Sequence, residues 1–176
     1  YYETVAAEMK KVDEEAAEEW YDEAVTYPFG YGLSYTTFDW KFTSDISPAA
    51  KITDPHQTVT LDIQITNTGK VPGKDVVQIY YSAPYTEGGI QKAAVNMVDF
   101  GKTKLLQPGE TTNLHIQFVA QDMASFDYND ANNNGFKGYE LEAGDYIITA
   151  CRDSHTPVLS VTRTVDETLE CTTDYV

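Results

Sequence analysis

The stretch "TVTLDIQITNTG" at residues 58–69 alternates between apolar and polar side chains at every step. Successive side chains of an extended chain point to opposite faces, so Val59, Leu61, Ile63 and Ile65 share one side and Thr60, Asp62, Gln64 and Thr66 the other. A helix would scatter the same apolar residues around its axis. The pattern predicts a half-buried antiparallel strand, closed by turn chemistry at Asn67-Thr68-Gly69. "KDVVQIYYSAP" continues it, with Val77, Ile79 and Tyr81 alternating against Val76, Gln78 and Tyr80. "TTNLHIQFVA" repeats it after the turn Gln107-Pro108-Gly109-Glu110, and "GDYIITACR" and "VLSVTRTV" add two more such segments. With "SYTTFDWKFTS" and "AVNMVDFGKTKLL" the chain offers about seven short strands without intervening helices. That is the signature of an all-β, immunoglobulin-like antiparallel β-sandwich.

Before the strands the period differs. Residues 1–25 are rich in Ala, Glu and Lys, with Val5, Met9 and Val12 at helical spacing and acidic residues on the other side. A short N-terminal helical segment with a solvated face is expected there. The junction reads "YPFGYGLSYT": Pro28 stops the helix, Gly30 and Gly32 permit turns, and Phe29, Tyr31 and Tyr35 are expected to pack the seam between helix and sandwich.

A length of 176 residues suits one domain with an appendage, large enough to bury a core without metal or disulfide. The net charge of −16 argues against a nucleic-acid partner and against an anionic membrane, since no basic surface is available to displace counterions. Two cysteines, Cys151 and Cys171, are too few for a disulfide scaffold. No stretch approaches the ~20 apolar residues of a membrane-spanning helix. The chain opens at Tyr1 in helical character, as expected of a piece of a longer polypeptide. Compartment cannot be read from it.

Catalytic chemistry finds little support. The acidic residues fall on the N-terminal stretch, in turns or at outward strand positions such as Asp62. Paired carboxylates for glycosidic hydrolysis would have to face one another in a pocket. His56, His115 and His155 are isolated, and no nucleophile elbow or zinc spacing is present. In "DANNNGFKGYEL", Asp130, Asn132 and Asn134 alternate with Gly135 sixth, which opens a calcium loop. Position twelve, which needs a bidentate Glu, is Leu141, flanked by Glu140 and Glu142. Asn and Asp also favour turns by bonding their own backbone. The reading is a surface turn, with calcium as the weaker alternative; no catalytic, cofactor or metal residue is assigned. Thirteen tyrosines, among them Tyr80, Tyr81 and Tyr85, are expected to pack the sheets more than to bind ligand.

"TYPFGYGLSYTTF" closely resembles the segment by which glycoside hydrolase family 3 enzymes, the β-glucosidase and β-xylosidase group, lead into their fibronectin type III-like domain. "VTLDIQITNTGKVPGKDVVQIYYSAPY", "FGKTKLLQPGETTNLHIQF", "DMASFDYND" and "YELEAGDYIITA" resemble its later stretches, in order. The resemblance covers about residues 27–165. It implies that residues 1–26 are the helical tail of a preceding α/β sandwich domain, 27–165 the fibronectin type III-like sandwich and 166–176 an exit linker. In that family the nucleophilic Asp lies in a barrel within Ser-Asp-Trp, and the acid/base Glu in a separate domain. Phe38-Asp39-Trp40 echoes the first motif but lies on a predicted strand of the sandwich, so Asp39 is not that nucleophile. The chain is therefore expected to be a non-catalytic part of a retaining β-glycosidase, stabilising domain packing or dimerisation. Its expected partners are the catalytic domains of the same enzyme and a second copy; the alternative is a carbohydrate-binding module holding a β-linked glycan. The long polar loop over 126–142 is expected to reach another domain's pocket.

Overall fold

The computed structural model describes residues 13, 16, 20, 21, 23–44 and 50–172. Most of the helical segment expected over 1–26 lies outside the described residues. Among the described residues eleven strands follow the junction: β1 (Phe38–Phe42), β2 (Lys51–Ile52), β3 (Thr58–Asn67), β4 (Val76–Ser82), β5 (Asn96–Lys102), β6 (Thr111–Val119), β7 (Ser125–Asp127), β8 (Gly138–Leu141), β9 (Gly144–Cys151), β10 (Pro157–Val165) and β11 (Leu169–Cys171). They form a three-stranded sheet β1-β3-β6, a five-stranded sheet β2-β10-β9-β4-β5 and a small sheet β11-β8-β7.

The alternation in β3 sets the first sheet. Val59, Leu61 and Ile63 stand opposite Phe118, Ile116 and Leu114 of β6, while Asp62 stands opposite His115 on the other face. Inward residues of β3 and β6 meet Val77, Ile79 and Tyr81 of β4, Tyr146, Ile148 and Ala150 of β9, and Val161 and Val165 of β10 in one core. Each buried Ile, Leu or Val contributes roughly 1.5–3 kcal/mol over its exposed state. The core thus lies between two packed sheets, as in a β-sandwich.

Turn chemistry closes the β5–β6 connection. Glu110 N–H donates to the Gln107 carbonyl at 2.9 Å and the Glu110 carboxylate accepts from Gln107 N–H at 2.9 Å. Gly109 sits at φ +79°, a conformation a side chain would strain. The Asn67 side chain, fully buried, accepts from the Thr36 hydroxyl at 2.7 Å and donates to the Val71 and Leu106 carbonyls at 2.9 Å each. It ties the junction to the β3–β4 and β5–β6 connections.

Three expectations need correction. The loop over 126–142 is a hairpin: β7 and β8 pair antiparallel, with Phe126 opposite Tyr139, and only 128–137 forms the loop. Residues 169–171 of the expected exit linker form β11, paired with β8. Strands of three or four residues are too short for a period-two signal to emerge, which is why the sequence pattern passes over them. β4, expected to have one wet face, is buried on both, because Gln78 and Tyr80 lie beneath the junction and the β9–β10 turn.

Candidate functional site

The residues singled out for chemistry do not converge. Asp39 is exposed on β1, paired across from Thr66. His115 Nδ1 lies 2.6 Å from Asp62 Oδ1 on the open face of the first sheet, and this hydrogen bond raises the imidazole pKa. His155 is far from it, stacked on Tyr21 at 5.2 Å. Cys151 is buried and Cys171 half-buried, both as free thiols. Burial pushes the Cys151 thiol up to about 11, the opposite of what an activated nucleophile requires. Among the described residues no three of His, Cys, Asp or Glu come together to hold a metal.

The loop from 128 to 137 is held by turn chemistry. Asp130 Oδ1 accepts from Gly135 N–H, Asn132 Oδ1 from Asn134 N–H, and Asn134 Oδ1 from Phe136 N–H. The oxygens that the calcium alternative would bring together are thus engaged by the backbone. Two carboxylates anchor the loop from beneath, departing from the solvated positions expected of most of the acids. Asp127, buried, accepts from the N–H groups of Asn129 and Ala131. Glu140, 0% exposed, accepts from the Asn134 amide at 2.7 Å through Oε2, while Oε1 has no hydrogen-bond partner among the described residues. Burial raises the Glu140 pKa, and the amides of Asn132 and Asn134 oppose that rise. Neither carboxylate was legible from sequence, because only the β7–β8 pairing turns both inward.

A seam between the two large sheets is built on Trp40. Its indole N–H donates to Asp75 Oδ2 at 2.6 Å, and the Arg152 guanidinium lies 4.8 Å over its ring. Arg152 also donates to the Phe38 carbonyl at 2.7 Å and lies 3.7 Å from Asp75. Burial raises the Asp75 pKa, against the lowering pull of the Trp40 hydrogen bond and the Arg152 charge. Trp40 joins β1 to the β9–β10 turn, a structural duty that the Phe-Asp-Trp triplet does not announce.

The junction carries the strongest surface signal. Tyr31 N–H donates to the Pro28 carbonyl and Gly30 takes φ +81°. The turn rests on the second sheet: Ser154 N–H donates to the Phe29 carbonyl at 2.9 Å, and Gln78 donates to the Gly30 carbonyl at 3.0 Å. Its side chains face out: Phe29 is 68% exposed, Leu33 88% and Tyr35 wholly so; the helix against which Phe29, Tyr31 and Tyr35 were expected to pack lies mostly outside the described residues. Beside them on β5, an edge strand, stand Met97 and Phe100, the latter 62% exposed. Phe29 and Met97 line two adjoining clefts, of about 460 and 870 Å³. Tyr21, Ser154 and His155 line the second, so Tyr21, ahead of the junction, already rests against this face. Phe29, Leu33, Met97 and Phe100 thus form an apolar band around the two clefts, interrupted by Lys74, Asp75 and Arg152, and exposed apolar side chains grouped in this way mark an interaction face.

The fibronectin type III-like domain family matches residues 75–154. β-Glucosidase A of Butyrivibrio fibrisolvens is 41% identical over 75% of this chain and 17% of its own length. A β-glucosidase of Ruminococcus albus is 38% identical over 82% of this chain and 14% of its own. The crystal structure of a β-glucosidase from Paenibacillus barengoltzii superposes with a TM-score of 0.70 at 37% identity, covering 81% of this chain and 15% of that one. The chain thus spans about a sixth of the length of the relatives it matches.

Proposed function

We propose, on the premise that this chain belongs to the fibronectin type III-like domains of family 3 β-glucosidases, that it is a non-catalytic module docked on the catalytic domains of such an enzyme. The observation that carries this reading is the apolar band of Phe29, Leu33, Met97 and Phe100 around the two clefts. Exposed area of this kind is stabilising only when another surface covers it, at about 25 cal/mol per Å² removed from water. The band mixes aliphatic and aromatic side chains, as the buried centre of a protein–protein contact does. Tyr21, which precedes the junction, lines the same cleft as Phe29 and Met97 and bonds His155. Chemistry on the substrate is assigned to residues outside this chain.

The test replaces the matching segment of the Butyrivibrio fibrisolvens relative with this chain and compares the graft with its Leu33→Asp and Phe100→Asp variants. The expected result is active grafted enzyme whose half-life on heating falls several-fold in either variant. Variants that survive heating as well as the unmodified graft would refute docking through the band.

A further inference from the structure

Residues 88–91 and 128–131, parts of the two long connections that the docking reading leaves unused, meet beside the small sheet, whereas residues 92–95 line the second docking cleft. The loop after β4 is pinned by Ile90, 2% exposed, and by Lys92, whose ammonium pairs with Glu142 and donates to the Pro84 carbonyl at 2.8 Å. The loop after β7 is fixed by the backbone hydrogen bonds to Asp127 and by the Asn134–Glu140 contact. Between them lies a cleft of about 120 Å³, lined by Gly88, Gly89 and Gln91 on one side and Phe126, Tyr128 and Asn129 on the other. Phe126 is 53% exposed and meets Tyr139 edge-on at 4.9 Å; Tyr128 is 69% exposed.

We propose that this inter-loop cleft is a binding site for a neutral glycan, with Phe126 and Tyr128 as the ring platforms and Gln91 and Asn129 as hydrogen-bonding groups. Aromatic faces accept the C–H face of a pyranose, and an amide both donates to and accepts from sugar hydroxyls. The lining holds no Lys or Arg, and Lys92 beside it is engaged by Glu142. An anionic ligand would find no cation in this lining, so charge selects a neutral partner. The exposed side chains here are aromatics and amides, without the Leu and Met that mark the docking band, and the two surfaces share no lining residue. Loops already held in place lose little freedom on binding, which favours even a small site.

The 176-residue chain, ¹⁵N-labelled, would be titrated with cellohexaose, laminarihexaose and, as the anionic comparison, hexagalacturonate. The expected result is amide shifts in residues 88–91 and 126–131 with at least one neutral hexaose and none with the galacturonate. Phe126→Ala and Tyr128→Ala should each weaken binding about tenfold, on the order of 1.4 kcal/mol. Phe100→Ala should leave it unchanged. Because Phe126 also packs on Tyr139, Tyr128→Ala is the decisive variant, its fold checked by retained spectral dispersion. Silence with both neutral hexaoses, shifts confined to the docking band, or wild-type affinity in Tyr128→Ala would overturn the site.

Discussion

Glu140 sits at the base of the 128–137 loop with one carboxylate oxygen held by Asn134 and the other without a hydrogen-bond partner among the described residues. Burial raises its pKa above the unfolded value, so the folded chain holds this proton more readily than the unfolded one. The linkage sign follows: Glu140 costs stability above its folded pKa, and the cost fades as pH falls toward the unfolded value of about 4.3. Glu140→Gln removes that titration. Urea unfolding at several pH values between 4 and 7 should show the wild type losing stability relative to Glu140→Gln as pH rises. A constant difference across the range would mean that Glu140 is not the titrating group. Nothing in "GYELEAG" signals this residue, since its neighbour Leu141 is buried as well and burial on successive residues defeats an alternation argument.

Among the elements, the connections matter as much as the strands. Asn67 ends β3, and its buried side chain bonds Thr36, Gly69, Val71 and Leu106, drawn from three separate stretches of chain. Asn67→Ala leaves two carbonyls, an amide and a hydroxyl without their partner. Each buried polar group so abandoned is costly, and the sum is about 3 kcal/mol, or a Tm lower by roughly 10 °C. Differential scanning calorimetry measures it directly; a loss below 1 kcal/mol would mean that water replaces the amide. From sequence, Asn67-Thr68-Gly69 was readable as a turn but not as a tie between loops. The partners of Asn67 are up to 39 positions away, beyond any local pattern.

For the whole molecule, the structure separates residues that hold this chain together from those that face something else. Arg152 bridges the sheets through Trp40, Asp75 and the Phe38 carbonyl, so Arg152→Ala should destabilise the chain by about 2 kcal/mol. Phe100→Ala and Leu33→Ala, whose side chains are mostly exposed, should change it by less than about 0.5 kcal/mol. Thermal melts of the three variants check the contrast. A large loss in Phe100→Ala would mean that the band is core of this chain and not an outward surface.

The fold class was legible because alternation is a local consequence of backbone geometry: β3, β4, β6, β9 and β10 all declare an inner face within their own residues. The resemblance of "TYPFGYGLSYTTF" to the family's junction was local in the same way. Which faces end up covered is not local. The cover of β4 by Gly30, the inward turn of Asp127 and Glu140, and the outward turn of Phe29 and Tyr35 depend on which distant strands pair and where the loops come to rest. Period and propensity act between near neighbours, so they determined the sandwich. Burial and exposure at the junction and the loop end involve residues far apart in the chain, so only the tertiary structure decided them.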